Sequence, residues 1–154
     1  SKAWPDFCAV PMPWGAITEL TALTGYRRLK SVAGHPVLSE LLERIMVDES
    51  RHFFFYYRQA ETRLCRPGAA RAARALVDRF WAPVGTGVVS PADLAFMARY
   101  LFAGDEGRGA ARNVDATIRK LPGFDRVELL EGWMDRHVRP GTGSNGGGNG
   151  YHRD

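Results

Sequence analysis

The chain has 154 residues, 45% of them hydrophobic and 25% charged. That is enough for one compact core, too short for two large domains and too apolar for a disordered chain. The balance of 21 basic against 17 acidic side chains, a net +4, is a mild excess. The arginine-rich stretches around Arg63–Arg79 and Arg108–Arg126 have no aromatic interleaving and no nucleic-acid-binding module around them, so nucleic acid is not expected as a partner. The longest apolar runs, such as Phe53–Tyr57, fall far short of the roughly 20 residues of a spanning helix, and no membrane span is expected. The opening residues lack the charged-then-apolar order of a secretory signal. Cys8 and Cys65 are too few for a disulfide framework, so two free thiols in a reducing cytoplasm are expected.

In chain order, residues 1–14 carry Pro5, Pro11 and Pro13 and read as an irregular lead-in. A helix is predicted over Gly15–Ala33, with Gly25 as an internal weak point. Gly34-His35-Pro36 punctuates and opens a long second helix to about Leu64, with neither Gly nor Pro inside it. An Ala-rich helix follows over Ala69–Trp81, and Pro83–Gly87 is a turn-rich bridge. Ser90 and Pro91 supply an N-cap and first helical residue for a helix to Phe102. Gly104–Gly109 reads as a loop, Ala110–Lys120 as a helix, Leu121-Pro122-Gly123 as a break and Asp125–Val138 as the last amphipathic segment. Residues 139–154 are a Gly/Asn-rich tail with no means of building a core. With no sustained alternation and no repeat, the fold class is all-α.

The informative segment is the long second helix. Leu38, Leu42, Ile45, Glu49, His52 and Tyr56 follow one another at helical spacing, which sets Glu49 and His52 in the middle of an apolar stripe. A carboxylate kept in a core costs several kcal/mol unless it is paired or bound to metal. A buried ion pair without chemistry is one answer. Metal ligation is the other, because Glu-x-x-His presents a carboxylate and an imidazole on one helical face. The preceding helix carries Glu19 on a face with Ala16, Ala22, Leu23 and Tyr26, again a carboxylate among small or apolar neighbours. A lone Glu on one helix and Glu-x-x-His on the next is half of the ligand pattern of carboxylate-bridged di-metal bundles.

These residues also carry a family likeness. Glu19-Leu20-Thr21-Ala22 and Val47-Asp48-Glu49-Ser50-Arg51-His52, followed by an aromatic stretch, resemble the second helix pair of the soluble acyl-carrier-protein desaturases of the ferritin-like superfamily. The likeness continues through Trp81–Gly85 and Val114–Phe124, so residues 15–138 resemble the C-terminal half of that fold, a partial ferritin-like helical bundle. The resemblance implies iron ligation by Glu19, Glu49 and His52, with Asp48 orienting a ligating histidine on a facing helix. It implies O2-dependent insertion of a double bond into a fatty acyl chain held by acyl-carrier protein, with electrons from a ferredoxin. Arg71 and Arg74 would meet the acidic carrier. Ala22 stands where the family has Thr.

A complete centre of this kind needs a second lone carboxylate and a second Glu-x-x-His. Glu131 and His137 do not share a helical face, and Glu43 is followed at that spacing by Met46. Three explanations stand. The first helix pair is missing from the chain, as its non-Met start favours; two copies of a homodimer each supply three ligands; or the centre has decayed and the bundle is a non-catalytic module that docks a partner through its arginine-rich face.

Overall fold

The computed structural model describes residues 7–137, and among them it is all-α, with no strand. After a single 3-10 turn at Phe7–Ala9 come α1 (Pro11–Ala33), α2 (Pro36–Arg63), α3 (Pro67–Phe80), α4 (Pro91–Phe102), α5 (Gly104–Ile118) and α6 (Leu130–His137). None of these helices is long and apolar enough to cross a membrane. The segment predicted as a Gly/Asn-rich tail lies outside the described residues.

The first two helices form an antiparallel hairpin, and the short connection explains why. Gly34 takes the left-handed conformation that closes α1 at φ 59°. His35 then caps α2, its Nδ1 accepting from the Leu38 amide at 3.3 Å, before Pro36 opens the helix. The far ends of the hairpin meet where Tyr56 lies flat against Gly15: a Cβ on that glycine would stand 2.7 Å from the ring. Near the turn, Lys30 pairs with Glu43. The hairpin is therefore pinned at both ends, and the level between them is where Glu19 and Glu49 sit.

The rest of the molecule closes one side of that hairpin. α5 crosses α1, with Arg28 reaching the Leu101 carbonyl at 2.8 Å and Glu106 at 3.0 Å. Ile17, Leu64, Val77, Ile118 and Phe124 share the core, each almost fully buried. Asp115 is buried with them, at 0% exposure. Its two oxygens accept from the amides of Leu129, Leu130 and Glu131 at 3.1, 2.9 and 3.3 Å, so a residue of α5 caps the N-terminus of α6. Burial pushes its carboxyl above the usual range, while those three amides and Arg119 pull it back.

Three boundaries differ from the sequence expectations. Residues 7–9 form a 3-10 turn and residues 11–14 open α1 where an irregular lead-in is expected, because Pro11 and Pro13 fall in the first turn of α1, whose amides have no intrahelical partner to lose. The expected loop at Gly104–Gly109 is the start of α5: Gly107 packs on the Phe102 backbone, where a Cβ would lie 2.2 Å from the carbonyl carbon. Asp105 and Glu106 also favour a helix N-terminus there. The last helix begins at Leu130 and not near Asp125, since Asp115 fixes its first free amides at that point.

Candidate metal centre

Glu19 projects from α1 one turn beyond Gly15, and Glu49 and His52 project from α2 in the turns before Tyr56. The contact of Gly15 with Tyr56 draws the two backbones close at this level. As a result, one ligand atom from each of Glu19, Glu49 and His52 lies within 4.8 Å of the others. Among the described residues they form the one such group of three. His52 Nδ1 lies 3.4 Å from Glu49 Oε2, as Glu-x-x-His spacing on one helix dictates.

The two carboxyls of the group stand close enough to perturb one another. The Glu19 carboxyl is pushed up from 4.5 to about 7, first by burial, then by its hydrogen bond with Glu49 and the charge of that neighbour, with His52 acting in the opposite sense. Beside Glu49, the Glu19 carboxyl holds its proton in preference to ionising. A divalent ion would displace that proton and take both oxygens and the imidazole, a mixed O/N donor set suited to iron, manganese or zinc. The residues present thus fit a metal.

One expectation needs correction. Glu49 and His52 do not sit mid-core. The buried line of α2 is Leu42, Phe53 and Ala60; the Glu49 side chain is 21% exposed and that of His52 59%. The helix is covered on the flank that meets α1 and is open beyond it, so the ligand stripe lies along the border. Asp48 is on the open side, its carboxylate paired with Arg51 at 2.9 Å. The aromatic run splits in the same way, with Phe53 buried and Phe54 and Phe55 exposed. His137 stacks on Trp133 and joins no metal-ligating group among the described residues.

Two features were not anticipated. An apolar cavity of about 250 Å³ lies between α1 and α4, lined by Thr21, Ala22, Gly25, Leu94 and Leu101 among others. It begins within three residues of Glu19, and the buried Thr21 hydroxyl on its wall has no hydrogen-bond partner among the described residues. No local pattern marks such a space, because its walls come from distant segments. The second concerns the basic surface. Arg74 is already engaged by Asp78 at 3.1 Å, the Gly123 carbonyl at 3.4 Å and Asp125 at 3.8 Å, whereas Arg71 is exposed on the same helix.

Comparison with protein-family models, with curated proteins and with solved structures finds no match to this chain.

Proposed function

We propose that the chain carries one half of a di-iron centre, held by Glu19, Glu49 and His52, and acts as an oxidoreductase of the acyl-carrier-protein desaturase type. The convergence of those three side chains within 4.8 Å is the observation that supports this reading. A bound iron pair supplies the redox chemistry with O2. In the overall reaction one O2, two electrons from a ferredoxin-type donor and two protons remove two hydrogens from the acyl chain and leave as two waters, with a carbon–carbon double bond formed.

The chain's own residues have definite parts in this account. Glu19 and Glu49 contribute negative charge, and Glu19 would give up its proton as a metal enters. His52 adds the nitrogen ligand. The apolar cavity lined by Ala22 and Leu101 would accommodate an apolar chain. Arg71, exposed on α3, would offer its positive charge to an acidic carrier in the cytoplasm, while Arg74 is engaged by Asp78.

The test is anaerobic loading with Fe(II), followed by acyl-carrier-protein substrate, reduced ferredoxin and O2. The expected result is retained iron and an acyl product lighter by two hydrogens. A chain that retains no iron under these conditions would overturn the proposal.

A further inference from the structure

The exposed side of α2 has a regular pattern that the metal centre alone does not explain. Leu41, Ile45, Asp48, His52, Phe55 and Gln59 succeed one another alternately four and three residues apart, the spacing of a helix–helix seam. Leu41 is 53% exposed and Phe55 58%, and Asp48 and His52 are exposed between them. The spacing reads the same in both directions about the level of residue 50. An antiparallel copy of the same helix would therefore set Ile45 against Phe55, Leu41 against Gln59, and Asp48 against His52. The half-buried Ile45 thus meets the exposed Phe55 on either side of a carboxylate–imidazole pair, and Leu41 covers the stem of the half-buried Gln59 beyond them.

We propose that a second copy of this chain docks along this seam about a two-fold axis and completes the centre. This rests on the metal reading above. An isologous contact presents the same patch from both partners, and this patch is self-complementary. Two copies supply two lone glutamates and two Glu-x-x-His pairs, the full donor set of a carboxylate-bridged bundle site. Docking also covers the open side of His52. Asp48, one of whose oxygens accepts from Arg51 at 2.9 Å, keeps its other oxygen to accept from the imidazole of the other copy.

Sedimentation velocity with metal analysis on the full chain tests this without any activity assay. The chelated protein and the protein loaded with Co(II) are compared, alongside Phe55→Asp and Leu41→Asp, which alter the seam and leave Glu19, Glu49 and His52 in place. The expected result is a dimer on loading with two metal ions per dimer. Each seam variant should remain a monomer and hold the metal at least tenfold more weakly, with the far-ultraviolet circular dichroism unchanged. A monomer that binds one metal with the same affinity in wild type and Phe55→Asp would overturn the second-copy proposal and leave the metal reading standing. A dimer that forms equally in chelator and in both variants would also overturn it. A wild type that takes up no metal in any state would overturn the metal reading, and the dimer centre with it.

Discussion

Asp115 and Glu19 are both carboxylates withdrawn from water, and they are solved in opposite ways. Asp115 is sealed among Val114, Ile118 and Leu130 and meets three fixed backbone amides. Its charge is answered by the fold, and its task is to start α6. Glu19 is only part-buried, and its nearest partner is another carboxyl. Within the hairpin only His52 offsets its charge, and by less than burial and Glu49 oppose it. Burial alone thus says little about function; the groups facing the carboxylate separate an acid satisfied by the fold from one that can take a further ligand.

The comparison can be broken first at its structural end. Asp115→Ala leaves the opening amides of α6 unsatisfied in a buried place, and a loss of about 3 kcal/mol in denaturant unfolding is expected, with metal uptake by the remaining folded protein unchanged. Gly15→Ala drives a methyl into the Tyr56 ring, and should cost about 1–3 kcal/mol. Because that contact sets the approach of α1 to α2, this variant is expected to weaken metal binding as well. An equal loss of stability with unchanged metal affinity would separate the site from the helix spacing.

A smaller effect concerns pH. Glu19 titrates near 7 in the fold against 4.5 ordinarily, so the metal-free folded state binds more protons than the unfolded one between those values. Its stability should therefore fall as pH rises through that interval, by a modest amount because the group is partly solvated. Metal affinity should rise over the same range as the proton ceases to compete. Thermal melts in chelator at both ends of the interval should show a decline that Glu19→Gln removes. The mildest change is Gly25→Ala. Its Cβ would meet only Leu101, at 3.9 Å, so the helical preference of alanine should stabilise by up to about 1 kcal/mol.

Much of this was legible in the sequence. Gly34-His35-Pro36 marks the hairpin turn through local chemistry, and the spacing of Glu19, Glu49 and His52 marks the three side chains that converge. What was not legible depends on partners distant in sequence. A helical wheel shows which residues share a face but not how much of that face a neighbour covers, so it sets His52 in the core when it lies at the border. The start of α6 depends on Asp115, fifteen residues before Leu130, and no helix-start signal marks it. Gly107 reads as a loop residue until the Phe102 backbone is seen against it. The cavity beside Ala22 needs α4 in place before it exists.

The most direct measurement is calorimetric titration of Fe(II), without oxygen, into the wild-type chain and into Glu19→Gln, Glu49→Gln and His52→Ala. If one ion is gripped from both helices at once, each of the three changes should weaken binding by about a hundredfold or more, while the unfolding free energy in chelator stays within about 1 kcal/mol of wild type. Wild-type affinity retained in Glu19→Gln would show that α1 supplies no ligand, and the account of a centre built between the two helices would be wrong.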